Sequence, residues 1–293
     1  MVDLDAAYAS CARDARGHYE NFPVASLLIP PAMRKHVAAV YAFARAADDF
    51  ADEGTRSADD RHRLLDGWRC RLQAAEAGAA PAPPAAGEPA NTAEIFVALA
   101  ATIRDAKLPL PLFEDLLSAF RQDVSVTRYA TWHDLLDYCR RSANPIGRLV
   151  LRIAGYRSDR LDAWSDAVCT ALQLTNFWQD FAVDLSRGRI YLPQEVLHAH
   201  GAREEDLAGH GLNREWRASL AAVVARTRAM FMTGRPVADA VRGRLRYELR
   251  ATWLGGMRIL ARLEQSGFDA RRRPRLRAAD LPWFTWRMLR WPA

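Results

Sequence analysis

From Leu172 to Leu185 the chain carries Leu172, Leu174, Phe177, Trp178, Phe181, Ala182, Val183 and Leu185 around a few polar residues. At about 100° per residue, Asn176, Asp180 and Asp184 all fall within about 60° of Gln173 on a helix surface. A surface helix carries a broad charged face. This one is an apolar cylinder with a thin polar seam, which predicts a buried helix. Carboxylates held in such a place need a partner charge or a metal ion.

A second seam lies in Tyr41-Ala-Phe-Ala-Arg45-Ala-Ala-Asp48-Asp49-Phe-Ala-Asp52-Glu53. Arg45, Asp48 and Asp52 lie within about 40° of Tyr41, with Asp49 and Glu53 about 100° further round. One acidic seam alone is the usual solvated face of a helix. Two of like length and polarity point instead to a metal-lined internal cavity. Asp48, Asp49, Asp52 and Glu53 would meet the ions from one side, and Asn176, Asp180 and Asp184 from the other. All-oxygen ligands suit Mg²⁺ or Mn²⁺, and Mg²⁺ binds through a few carboxylates together with substrate phosphates. The expected ligand is therefore a diphosphate. Arg45, Arg187 and Arg189 are candidate phosphate contacts. A departing diphosphate leaves a carbocation, and Phe22, Tyr41, Phe43, Phe177 and Trp178 offer aromatic faces to it. Each of these rings is equally a candidate core residue.

Strand signals are nearly absent, so the expected class is all-α. Pro30-Pro31 opens a helix reaching about Glu53. Asn91-Thr-Ala-Glu94 has the form of a capping box, and Thr131-Trp-His-Asp134 begins another helix. Ser158 caps a long helix running to about Ser186, with Gly188 after its end. Further helices are expected over about 212–234, 236–265 and 278–290. The Pro/Ala-rich stretch 79–90 is expected to be a surface loop within a single domain spanning 1–293.

Of 41 basic residues only Lys35 and Lys107 are lysine. The net charge of +6 matches the excess of one segment, 271–293, with seven Arg and one acid, Asp280. The balanced remainder excludes a general nucleic-acid surface. The scattered Cys11, Cys70, Cys139 and Cys169 have no zinc or redox spacing, and a cytoplasmic location is expected.

These residues resemble the two aspartate-rich motifs of the squalene and phytoene synthases. The likeness extends over Asn144-Pro-Ile-Gly147, Gln173-x-x-Asn176 and Arg187-Gly-Arg-Ile-Tyr191-Leu-Pro193, and is clear from about His18 to Pro193. It implies the isoprenoid synthase fold, one all-α domain with a central active-site cavity. It also implies catalytic roles for Asp48, Asp52, Asp180, Asp184, Tyr41 and Arg45. Phe22, Gln173, Asn176, Gln179, Arg187, Arg189 and Tyr191 would contact substrate. Asn21-Phe22-Pro-Val-Ala-Ser26 and Asn176-Phe-Trp-Gln179-Asp180 are similar to the hydroxysqualene-forming branch of bacterial hopanoid synthesis. That branch takes presqualene diphosphate, needs Mg²⁺ and adds water without NADPH. Condensing relatives usually carry Arg at the position of Gln179, and its loss would weaken binding of one diphosphate. The alternatives are a condensing synthase acting on two prenyl diphosphates and a non-catalytic assembly protein on the same fold. Three Trp and one Phe among arginines in the C-terminal segment suggest peripheral contact with an anionic inner-membrane surface. The competing expectation is a final helix docked on the body through its Trp face.

Overall fold

The computed structural model describes residues 2–17, 28–209 and 211–291. Among them there is no strand, only an isolated bridge between Arg128 and Ile190. In chain order the α-helices are α1 (Leu4–Gly17), α2 (Pro31–Asp52), α3 (Ala58–Glu76), α4 (Thr92–Ala106), α5 (Leu110–Asp123), α6 (Trp132–Ser142) and α7 (Asn144–Ile153). They continue as α8 (Asp159–Gln179), α9 (Phe181–Ser186), α10 (Gln194–His200), α11 (Arg214–Gly234), α12 (Val237–Ala240), α13 (Gly243–Gln265) and α14 (Leu281–Leu289).

The described residues form two compact units. The first comprises Met1–Val126 and Pro145–Asp162, and the second Thr127–Asn144 and Ala163–Ala293. The Pro/Ala-rich stretch lies inside the first and is no boundary between them. Arg71 holds it by donating to Ala82 O and Pro83 O at 2.8 and 2.6 Å, and pairs with the buried Glu88 carboxylate at 2.7 Å.

In the first unit α2 packs against α1, α3, α4 and α5. Its spacing of Phe43, Ala46, Ala47 and Phe50 turns one face inward, and all four are buried. Trp68 of α3 meets Phe96 edge-on at 4.6 Å and Phe50 at 5.2 Å between ring centres. Its indole N–H donates to Phe43 O, so the largest core side chain is buried without an orphaned donor. Phe43 is fully buried in this cluster and is a core residue, not a face offered to substrate.

In the second unit α11 and α13 approach closely. A Cβ at Gly256 of α13 would lie 2.3 Å from the Phe231 ring of α11, so only glycine fits there. Trp178 is fully buried, with its N–H on Thr227 Oγ1 at 2.9 Å, and it too belongs to the core.

Several boundaries differ from expectation. The helix expected to run to Ser186 breaks at Asp180, whose φ −97 and ψ 11 leave the helical region. The stretch 236–265 divides into α12 and α13, because Val241 and Arg242 are extended. Asn91 precedes α4 but does not cap it; its amide reaches Ser10 Oγ and Asp14 Oδ2 instead. The Thr131–Asp134 capping box forms.

The C-terminal segment is fastened at both ends. Asp280 is buried and pairs with Arg258 and Arg262 at 2.9 and 2.7 Å. Trp291 donates to Asp239 Oδ2 at 3.2 Å, with Arg235 and Arg250 over its ring. Burial alone would raise the Asp280 carboxyl. The hydrogen bonds from Arg262, the Arg277 N–H and Arg258 outweigh it and bring it from 3.8 down to about 2. A carboxyl lowered on folding stabilises the fold above its unfolded value and loses that contribution as pH falls through its folded value. Asp280→Asn is therefore expected to cost about 2 kcal/mol near neutral pH. The difference from wild type should shrink as pH falls from 3.8 toward about 2, as read by urea unfolding.

Candidate active site

The first acidic group stands at the end of α2. Asp48, Asp49 and Asp52 occupy its last turns and Glu53 is the C-cap, its N–H on Asp49 O at 3.0 Å. A helix C-terminus carries about half a negative charge. Four carboxylates placed there, with no basic residue in the last turn, create a strongly negative point that only cations relieve. Arg45 supplies one from within the helix. Its guanidinium lies 3.4 Å from Asp48, 2.5 Å from Asp49 and 2.9 Å from Glu53. Arg61 of α3 supplies a second, donating to Phe50 O at 3.0 Å, Ala51 O at 2.6 Å and Gly54 O at 2.9 Å. The first two are carbonyls that the end of a helix leaves without internal partners, and Gly54 lies just past it. Tyr41, Asp48, Asp49 and Asp52 are half-buried and Glu53 is exposed. Tyr41 packs against the first unit's core.

The second group stands where α8 gives way to α9. Although Asp180 breaks the helix, its N–H still reaches Asn176 O at 2.8 Å, and the Asp184 N–H reaches Asp180 O at 2.9 Å. The spacing of Asn176, Asp180 and Asp184 along one line is thereby kept. Gln173, Asn176, Asp180 and Asp184 are half-buried between the buried Leu174, Phe177, Trp178 and Phe181. The expectation of acidic seams fully enclosed is corrected: Leu174, Phe177, Trp178 and Phe181 are buried, Val183 is exposed, and the polar line is partly open. Asn176 lies in the last turn of α8, which has no basic residue, while Asp180 precedes α9 and Asp184 lies in its first turn.

Its cation comes from far along the chain. Arg273 grips Asp180 with two hydrogen bonds, one of them Nη2 to Oδ2 at 3.0 Å. Gln179 is buried and donates from Nε2 to Pro274 O at 2.7 Å. The residue expected to deprive this seam of positive charge thus tethers the segment that brings a guanidinium to it.

Tyr191 is buried and stacks on Phe177, with ring centres 3.7 Å apart and planes 7° from parallel. Tyr129 and Tyr138 complete this aromatic group. Arg187 is exposed, Arg189 is half-buried, and both backbone N–H groups turn back to Asp184 O. Asn144 accepts from Thr170 Oγ1 at 2.9 Å, which ties its motif to α8. Phe22 lies outside the described residues, as do Tyr19, Glu20 and the rest of its stretch to Ser26.

The structure thus gathers the expected residues into two groups, one in each unit. Arg61 and Arg273 were missed. Arg61 sits among charged residues on a helix with nothing to mark it, and Arg273 is one of several arginines in a run. For divalent cations the donor set is chemically suited, being all carboxylate and amide oxygen. Among the described residues no three acidic, His or Cys side chains enclose a metal position by themselves. Water and diphosphate oxygens would have to complete the shell, as is usual for Mg²⁺.

An all-α chain with acidic groups at the ends of two helices has the isoprenoid synthase architecture. It superposes on the crystal structure of squalene synthase HpnC from Alicyclobacillus acidocaldarius with a TM-score of 0.81 and 39% identity, covering 91% of this chain and 96% of that one. Residues 15–280 match the squalene/phytoene synthase family, and the chain belongs to that family. It is 38% identical over 226 residues to a hydroxysqualene synthase of Zymomonas mobilis, covering 76% of this chain and 71% of that protein. It is also 30% identical over 301 residues to a 15-cis-phytoene synthase of Synechococcus elongatus, covering 99% and 92%. The protein is therefore an enzyme of this family, which sets aside the assembly-protein alternative.

Replacing Arg61 by Met leaves three carbonyls at the end of α2 without their donor. A loss of about 2 kcal/mol in unfolding free energy is expected. Arg63→Met, on a largely exposed side chain of the same helix, should change it by less than about 0.5 kcal/mol.

Proposed function

We propose that the enzyme converts presqualene diphosphate to hydroxysqualene. The observation that carries diphosphate chemistry is the pair of partly open acidic groups, one at the C-terminus of α2 and one at the break between α8 and α9, each already drawing a guanidinium to its carboxylates. Magnesium, or manganese in its place, would supply Lewis-acid charge to the departing diphosphate. Asp48, Asp49, Asp52 and Glu53 would hold it in one unit, and Asn176, Asp180 and Asp184 in the other.

The bond from the substrate's primary carbon to the diphosphate oxygen breaks, and diphosphate leaves with the electron pair. Arg45, Arg187, Arg189 and Arg273 are the guanidinium groups near the two acidic groups in sequence or in space, suited to bind diphosphate oxygens. The cyclopropylcarbinyl cation rearranges, a water oxygen bonds to it, and the water gives up a proton. This sequence is redox-neutral, so NADPH has no part in it. The half-buried Tyr41 offers a ring face to a cation. Support for this reaction over others in the family comes from the similarity to proteins named hydroxysqualene synthase and from Asn176-Phe-Trp-Gln-Asp180. The reading places the enzyme in the cytoplasm, peripherally at a membrane surface where apolar substrate and product partition.

A second reading, condensation of two prenyl diphosphates, is favoured by one observation. Arg273 provides Asp180 with the guanidinium that Gln179 lacks. Incubation with presqualene diphosphate, Mg²⁺ and ¹⁸O-labelled water, without NADPH, distinguishes the two. Labelled hydroxysqualene is the expected product. Its absence, together with presqualene diphosphate or phytoene made from simple prenyl diphosphates, establishes the second reading instead. Asp48→Asn with Asp52→Asn, or Asp180→Asn with Asp184→Asn, should lower kcat/KM on the order of a hundredfold or more.

A further inference from the structure

The α14 helix carries apolar residues on both its packed and its exposed side. Its half-buried residues are Trp283, Phe284 and Met288, while Leu281, Pro282, Thr285 and Trp286 face solvent. Leu281 is 68% exposed and Trp286 50%, and Leu276 just upstream is 39% exposed. The outward side of this helix thus sets apolar residues beside Arg287, where an ordinary surface helix is mainly charged.

The charges that 271–293 itself exposes share one sign, while Asp269 pairs with Arg272 and Asp239 holds Trp291 beside it. Arg272, Arg275, Arg277, Arg287 and Arg290 are exposed. Asp280, the one acid in this stretch, is buried and taken up by Arg258 and Arg262. Arg287 and Arg290 lie over the Trp286 ring at 5.5 and 5.8 Å, so an interfacial indole is flanked by cations. The face is held rigidly, since Asp280 and Trp291 fasten both ends of the helix. Trp283, beneath Arg258, and Trp291 belong to that fastening, and Arg273 belongs to Asp180.

We propose that this face seats the protein on an anionic lipid surface. Leu276, Leu281 and Trp286 would enter the headgroup boundary, and the five exposed arginines would contact lipid phosphates. The proposal deepens the peripheral-membrane part of the proposed function by naming the surface and its lipid. Charge selects the occupant. A second copy of the face would bring arginine against arginine, and a nucleic acid would leave Leu276 and Leu281 unmatched. The nine-residue helix lies on a membrane: among the described residues no helix is long and apolar enough to cross one.

The test is vesicle flotation of the full chain without substrate, so its outcome is independent of the reaction assigned above. Vesicles of phosphatidylcholine alone are compared with vesicles containing phosphatidylglycerol. Flotation is expected only with the anionic lipid and should weaken with added salt. Leu281→Ser with Trp286→Ser should lower partitioning about tenfold or more. Arg287→Gln and Arg290→Gln should each lower it about fivefold. Quenching of wild-type tryptophan fluorescence by brominated phosphatidylcholine in the anionic vesicles reads insertion without any variant. The proposal is overturned if the wild type stays unbound, if it binds without quenching, or if folded variants float as it does. It is also overturned if the same substitutions abolish self-association or RNA binding while leaving flotation intact.

Discussion

Guanidinium compensation of negative helix ends is the interaction on which the site depends. At the end of α2 four acidic residues add to the negative end of a dipole, an arrangement that disfavours the helix by itself. Arg45 binds the carboxylates and Arg61 the terminal carbonyls, so the helix persists to Asp52. At Asp180 the same task falls to Arg273. The protein thus keeps two concentrations of negative charge partly open, each met in part by a planar cation with oriented donors.

That compensation links the two ends of the chain's chemistry. Gln179 fixes Pro274, Arg273 meets Asp180, and Asp280 fastens the next residues through Arg258 and Arg262. The arginine-rich segment is therefore divided by task. Some of its side chains serve the second acidic group, and others form the exposed basic rim of α14. A single charge count over 271–293 cannot separate these roles, because each depends on what lies opposite the side chain.

Much of the fold was legible because helix signals are local. The proline at the start of α2, the Thr131–Asp134 box and the apolar period of α2 were read correctly from adjacent residues. Misreadings arose where tertiary contacts compete with local chemistry. Asn91 caps nothing because Ser10 and Asp14 offer it better partners. Phe43 and Trp178 read either as core or as faces for a cation, and packing with Trp68 and Thr227 makes them core. Trp283 and Trp291 dock, as one expectation had it, while Trp286 stays exposed, as the other required.

The sequence by itself determined the helical class, the two acidic lines and the family. All three rest on residue type and spacing within a few turns, which the chain carries wherever it folds. Only the tertiary structure decided which arginine answers which carboxylate, what Gln179 holds, and which side of α14 meets solvent. Those depend on contacts between residues as far apart as Asp180 and Arg273, and on burial. Neither is encoded in local period, since an arginine's partner is set by where packing leaves its long side chain.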